Sequence, residues 1–309
     1  MIYTLTLNPA LDRTFYVEKL EDRESIKVLR EKRYSGGKGI DVSRVIKQLG
    51  GESIALGFLG GYAGREMEGR LLNEGVACNF QWIHKETRTN VIVHCELTGR
   101  EIRFNCPGPD VSPSELSELV QKCRDLHPKP KIAVISGSVP SGVNPTLYEQ
   151  LTLTFESQGA RVLLDTYGEP LKKGLLATPF MIKPNRRELS GLVGYDVETV
   201  DEAYAAAKSI LKYVKLVAVS LGEMGLLGVT SEGAWLSKPP KVEAINTVGA
   251  GDSTVAAMTL AIKSELPIDE ILRNGAAAGT ASTLTEGTAT VNTDDFNRIF
   301  AGTKIEQIA

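Results

Sequence analysis

The sequence predicts an α/β protein: a doubly wound, mostly parallel sheet with a small β-sheet lid. Three observations lead there. Short β-branched or apolar runs recur along the chain and alternate with helix-like segments, the order of a parallel sheet built from β-α-β units. Between those runs apolar residues return with helical spacing. Two stretches, by contrast, carry paired strand patterns with no helix between them. The chain has 309 residues, 42% of them hydrophobic, enough to bury one large core.

In order, the runs that read as central strands are IYTLTL (2–7), SIALGFL (53–59), KIAVIS (131–136), RVLLD (161–165), FMIK (180–183) and LVAVS (216–220). The first clear helix follows GGKG: Val42, Val45, Ile46 and Leu49 recur at i, i+3, i+4 and i+7, with Arg44, Lys47 and Gln48 expected on a wet opposite side. Another begins at VSPSELSELV, where Ser112 can cap, Pro113 suits the first helical position and Glu115 completes a capping box. The stretches that break the alternation are RTFYVEKL with IKVLREKR (13–33) and TNVIVHCEL with EIRFN (89–105), the second pair joined by the turn TGR. They predict a lid formed by about 12–33 and 88–106. The chain shows no repeat, low-complexity tract or Pro/Gly-rich linker, so residues 1–309 are expected to form a single domain carrying this insertion.

Lys and Arg total 35 against 38 Asp and Glu, a formal charge of -3, which speaks against a general nucleic-acid or anionic-membrane binder. Cys78, Cys95, Cys106 and Cys123 stand far apart without a C-x-x-C pair, which argues against a zinc site and a disulfide framework and for a reducing setting. The opening MIYTLTL lacks a basic region and a long apolar one, and no apolar run approaches the roughly 18 residues of a membrane span. A cytoplasmic, unprocessed protein is expected.

Four segments can carry chemistry. INTVGAGDST places Gly249, Ala250 and Gly251 at the first turn of a helix continued by Val255, Met258, Thr259 and Ile262. Unpaired amides there form an anion hole, and Asp252 beside it could take a proton from an attacking hydroxyl; the alternative is a plain helix cap. YSGGKGIDVSR also opens a helix but fits neither G-x-x-x-x-G-K-S/T nor a dinucleotide fingerprint; Lys38 suits a polar or phosphorylated ligand, or is a solvated lysine at a tight turn. In IKPNRREL, Asn185 and Glu188 could order magnesium-bound water or phosphate, or form a cap. VSLGEMG puts Ser220, Gly222 and Gly225 at a strand end, where ligands collect in open α/β sheets and where a β-turn would look the same.

In this order and spacing NPALD, GGKGIDVSR, ISGSVPSG, KPNRREL, VSLGEMG and NTVGAGDS resemble the pfkB family of sugar kinases, with the ribokinase-like fold, from Tyr3 to near Phe300. The resemblance implies Asp252 as catalytic base and Gly249, Ala250 and Gly251 as the anion hole. It implies Asp12, Gly36, Gly37, Lys38 and Asp41 at the sugar, and Arg88, Asn90, Lys27 and Arg103 as lid contacts to the sugar and its phosphate. Lys183, Asn185, Ser220, Gly222 and Gly225 match nucleotide-side positions, and Glu188 with Asn185 the neighbourhood of magnesium, reached through water or phosphate. ATP is the implied donor, and a homodimer through the lid the implied assembly.

The branch it resembles phosphorylates ketohexose phosphates. The implied reaction makes fructose 1,6-bisphosphate from fructose 6-phosphate or fructose 1-phosphate, and Ile26-Lys27, where an Asn-Arg pair is frequent in the 1-phosphate and tagatose branches, favours the former. The alternatives are tagatose 6-phosphate, an unphosphorylated sugar or nucleoside, and a non-catalytic sensor, which should have lost the base or the hole. Two departures stand out: Asp41 replaces a common asparagine, and Asn246 a common aspartate.

Overall fold

The computed structural model describes residues 1–20 and 25–309. The chain begins with β1 (Ile2–Thr6), β2 (Ala10–Val17), β3 (Val28–Gly36), α1 (Lys38–Gln48), β4 (Ile54–Gly60), α2 (Gly61–Asn73), β5 (Ala77–Cys78) and β6 (Gln81–Ile83). It continues through β7 (Arg88–Cys95), β8 (Glu101–Phe104), α3 (Pro113–Arg124), β9 (Ile132–Ser136), α4 (Leu147–Glu156), β10 (Arg161–Asp165), α5 (Gly168–Leu175) and β11 (Met181–Ile182). It closes with α6 (Arg186–Val193), α7 (Val200–Ile210), β12 (Leu216–Ser220), β13 (Leu226–Thr230), β14 (Gly233–Lys238), α8 (Ala250–Lys263), α9 (Ile268–Ser282), α10 (Thr293–Gly302) and β15 (Lys304–Gln307).

Strands β4, β1, β9, β10, β11 and β12 lie side by side and parallel. β5 and β6 add to β4, and the antiparallel β13, β14 and β15 extend the opposite edge, giving a mixed sheet. The parallel centre is as predicted. The antiparallel edge was not: β15 is a short run, KIEQ, whose charged residues suit an exposed edge and carry no strand signature.

Side chains on the central strands alternate between two apolar clusters. Tyr3 and Leu5 enter one and Ile2 the other; Ala133 and Ile135 oppose Ile132 and Val134; Val162 and Leu164 oppose Leu163. The first cluster is completed by α3 to α7 and the second by α1, α8, α9 and α10. Because both faces are covered, the strands read as unbroken apolar runs.

Helix α1 corrects the sequence reading. Val42, Val45 and Ile46 are buried as expected, but Arg44 is only 7% exposed, because α8 packs along this helix as well as the sheet. Periodicity registers Arg44 as polar; it cannot register that Asp41 and Glu74 neutralise the guanidinium. The capping box at Ser112 and Glu115 forms as predicted.

The lid is a separate sheet in the order β3-β2-β7-β8. β2 pairs with β3 antiparallel and with β7 parallel, and β7 and β8 form the expected hairpin. Residues 21–24, inside the first predicted lid stretch, lie outside the described residues.

Candidate active site

The cleft lies where the lid leaves the main sheet. Pairing of β2 with β7 sets Asp12 opposite Asn90, and Asn90 Nδ2 donates to Asp12 Oδ1 at 2.8 Å. The Cys106 amide donates in turn to Asn90 Oδ1 at 3.1 Å. A Cβ at Gly36 would stand 2.3 Å from Asp12 Oδ2, so only glycine lets β3 approach this carboxylate. Burial pushes the Asp12 carboxyl up, against the pull of Asn90, Arg88 and Arg103.

Arg88 staples the lid to the body: it donates to the carbonyls of Asn8 (2.9 Å), Pro9 (3.3 Å) and Cys106 (3.1 Å). Arg103 lies opposite Ile92, two residues beyond Asn90, and so shares the lid face of Asp12 and Asn90; it pairs with Glu101 at 2.8 Å. Lys27 is exposed just before β3.

Gly37 leads into α1, whose first residue, Lys38, sends Nζ to Asp165 Oδ2 at 3.0 Å. Asp41 is 5% exposed and accepts from Arg44 Nη1 at 3.2 Å. Burial outweighs Arg44 and pushes the Asp41 carboxyl up to about 7. Arg44 also reaches Glu74 at 2.6 Å and the Thr288 carbonyl at 3.3 Å.

Opposite, α8 starts at Gly249 in the left-handed region, φ 84°. The first-turn amides of Gly251 and Asp252 have no carbonyl one turn earlier within the helix, whereas Ala250 donates to Thr247 O at 3.3 Å. Asp252 is 8% exposed, and its buried Oδ1 has no hydrogen-bond partner. Burial holds its carboxyl well above the ordinary value; Lys38 and Lys183 act against that, Asp165 and Asp41 with it. Lys183 abuts the helix start, for a Cβ at Gly251 would be 3.2 Å from its Nζ. Asn246 Nδ2 donates to the carbonyls of Glu286 and Gly287 at 3.3 and 3.4 Å, bonds that an ionised aspartate could not donate.

Beyond Gly251 opens a cavity of about 1230 Å³ lined by residues that include Asn185, Ser220, Gly222, Gly225 and Gly251. Asn185 and Glu188 cap α6 reciprocally: Asn185 Oδ1 accepts from the Glu188 amide at 2.8 Å and Glu188 Oε2 from the Asn185 amide at 2.9 Å. The second Glu188 oxygen lies outside this cap. Among the described residues no group of three His, Cys, Asp or Glu could hold a metal ion. A carboxylate oxygen outside the cap is the kind of hard oxygen donor that a magnesium ion takes together with phosphates and waters.

A family model described as pfkB family carbohydrate kinase matches residues 5–295. The chain belongs to the pfkB family. It is 37% identical over 303 residues to the ATP-dependent 6-phosphofructokinase isozyme 2 of Escherichia coli K12, covering 97% of this chain and 98% of that one. It is 35% identical over 287 residues to the 1-phosphofructokinase of Bacillus subtilis 168, covering 93% of each. The crystal structure of phosphofructokinase-2 from Escherichia coli in complex with potassium superposes with a TM-score of 0.92 at 37% identity, covering 97% of this chain and 98% of that chain. The fold is thus the ribokinase-like α/β fold of pfkB kinases.

Within this pfkB-family chain most of the predicted positions fall into three groups. Asp12, Asn90, Gly36, Gly37 and Lys38 converge at the lid hinge; Asp252, Gly249, Gly251 and Lys183 at the start of α8; Asn185, Ser220, Gly222 and Gly225 at the large cavity. Asp41, Arg88 and Ala250 are already engaged by Arg44, three carbonyls and Thr247. Sequence reasoning missed Asp165 and the buried role of Arg44. Asp165 was findable, since it ends RVLLD at the carboxyl edge of a parallel strand, where open α/β sheets place their ligands. No helix of the described residues is long and apolar enough to cross a membrane.

Proposed function

We propose that the chain is an ATP-dependent kinase of a ketohexose phosphate, with fructose 6-phosphate as the first-choice acceptor and fructose 1,6-bisphosphate as product. The observation that carries this reading is the Asp252 carboxyl, buried with one oxygen unpartnered, beside first-turn amides and the Lys183 ammonium. A carboxylate so placed is costly for the fold and suited to a hydroxyl that must meet a phosphate. The named activities of the relatives support the same reading.

The sugar hydroxyls bond to Asp12 and Asn90, and the phosphate already on the sugar is met by Arg103 and Lys27 from the lid, with Arg88 holding the hinge. ATP lies in the large cavity along Ser220, Gly222 and Gly225, its γ-phosphate at the amides of Gly251 and Asp252. The Asp252 carboxylate takes the proton of the acceptor hydroxyl as the hydroxyl oxygen bonds the γ-phosphorus and the bond to the β,γ-bridging oxygen breaks, leaving ADP. Glu188 would hold a magnesium ion through water, and that ion would supply neutralisation of phosphate charge. The lid also offers a dimer surface. On its face away from Asp12, the strand registers align Phe15, Val93 and Ile102, with Val91 and Phe104 beside them, and none of the five is fully buried.

The test is coupled ADP production with ATP and magnesium against fructose 6-phosphate, fructose 1-phosphate, tagatose 6-phosphate, fructose and ribose, with Asp252→Asn alongside. One phosphorylated ketohexose should reach a kcat/KM of at least about 10⁴ M⁻¹s⁻¹, with the variant down by at least about 10³-fold. Turnover of unphosphorylated sugars alone would overturn the acceptor class. ATP binding without turnover of any acceptor would overturn the enzyme reading.

A further inference from the structure

Asp165 has no part in the mechanism above, yet its side chain is 1% exposed, more enclosed than Asp252 or Asp41. It ends β10, flanked by β9 and β11. Its two oxygens meet two ammonium groups from different elements. Oδ2 accepts from Lys38 Nζ at 3.0 Å, and Oδ1 lies 3.4 Å from Lys183 Nζ. The second contact is an ion pair without hydrogen-bond geometry, since Oδ1 has no hydrogen-bond partner. Lys183 is itself 3% exposed.

A buried carboxylate that gathers two ammonium groups is unusual, Lys183 being buried with it and Lys38 about a third exposed. Like charges repel, and a desolvated cation is costly unless paired. Asp165 leaves the trio with one net positive charge, and Asp252 beside it brings the cluster to neutrality. A phosphoryl group entering this cluster would therefore find two cations already in place. The two face different ways: Lys183 abuts Gly251 at the anion hole, whereas Lys38 opens α1 on the sugar side. Both act on the Asp252 carboxyl.

The geometry points to Asp165 as a positioning residue that fixes the Lys38 and Lys183 ammonium groups on either side of the path along which the phosphoryl group passes. The inference rests on the kinase reading. It is supported by the charge states of the partners. Against the burial that would raise it, Lys183 and Lys38 hold the Asp165 carboxyl below its ordinary value. Against the burial that would lower it, Asp165, Asp252 and Glu188 hold Lys38 above its own. Lys38, about a third of its side chain in water, is thus kept charged at the cleft, where such a charge acts on a developing negative charge.

Asp165→Asn keeps the size of the side chain and removes its charge. It should be compared with wild type, with Lys38→Met and Lys183→Met, and with the two double variants, by kcat, by KM for ATP and sugar, and by thermal unfolding. A second readout needs no acceptor: acylation of Lys38 by an amine-reactive ester at about pH 8, followed by peptide mass spectrometry. The expected result is a kcat about 10²-fold lower, KM values within about threefold, and double variants little worse than the singles. Lys38 acylation should rise about tenfold, as for a fall of about one pKa unit. A kcat within about threefold of wild type, or losses that simply add, would overturn the inference. If Asp165→Asn does not fold, Asp165→Glu keeps the charge but moves it by one methylene; kcat should fall while Lys38 stays unreactive, and an unchanged kcat again overturns the inference. An inactive wild type whose Lys38 becomes reactive in Asp165→Asn sinks the kinase reading and leaves the lysine placement standing. An active wild type matched by Asp165→Asn sinks this inference alone.

Discussion

Asp252 and Asp41 are buried carboxylates on helices that meet at the cleft, and their environments predict opposite uses of pH. Asp252 must be ionised to accept a proton, and burial raises its pKa, with Lys38 opposing. The acidic limb of kcat/KM should therefore lie above the ordinary carboxylate range and move with substitutions of Lys38; a limb at the ordinary value would contradict the assignment. Asp41 affects stability instead. Its folded pKa of about 7 exceeds that of an unfolded aspartate, with burial the leading cause and Arg44 opposing it. The folded chain binds this proton more tightly than the unfolded one, so the stability it contributes is present at low pH and is lost as pH rises towards about 7. Wild type should thus lose stability relative to Asp41→Asn between about pH 4 and pH 8, read as the difference in Tm. A constant difference would show that Arg44 keeps Asp41 ionised throughout.

At the scale of elements, the start of α8 depends on one backbone conformation. Gly249 sits at φ 84°, and a Cβ there would lie 2.4 Å from the Ala289 amide nitrogen. Gly249→Ala must either strain the left-handed turn or push the 284–290 loop away, at a cost of about 1–3 kcal/mol. It should lower Tm and also kcat, because the amides of Gly251 and Asp252 move with the helix start. A variant with normal Tm and kcat would show that the loop yields freely. The same loop is held by Asn246 and Arg44, so α1, α8 and the residues after α9 form one mechanical unit around the base.

For the whole molecule, the lid is joined to the body by the Arg88 staple and by ion pairs of Arg33 with Glu66 and Lys32 with Glu286. Its outward apolar row is incompletely covered, with Phe104 55% exposed. Pairing with a second lid would remove that surface from water, at roughly 25 cal/mol per Å² of apolar area. Phe104→Glu should shift the chain towards monomer in analytical ultracentrifugation while leaving Tm nearly unchanged. A wild type that is monomeric at micromolar concentration would exclude a dimer through the lid.

How much of this was legible in the chain follows from the range of the forces involved. Local rules gave the central strands, the Ser112 cap and the glycine-rich helix starts, because backbone geometry and a two- or 3.6-residue period act within a few positions. Motif order gave the family, and with it the expectation that Asp12 and Asn90 meet the sugar, Lys183 the nucleotide and Asp252 the proton. The alternative cap reading of Asn185 and Glu188 was also local, and the reciprocal bonds are there. The sequence by itself thus determined which segments fold into strands and helices and which residue types reach the cleft. Only the tertiary structure decided the partners: that Arg44 is buried on Asp41, that Arg88 holds three carbonyls, and that one carboxylate, Asp165, gathers lysines 145 residues apart along the chain. Charge pairing acts through space in a dry cleft, between groups that no local pattern of residues connects.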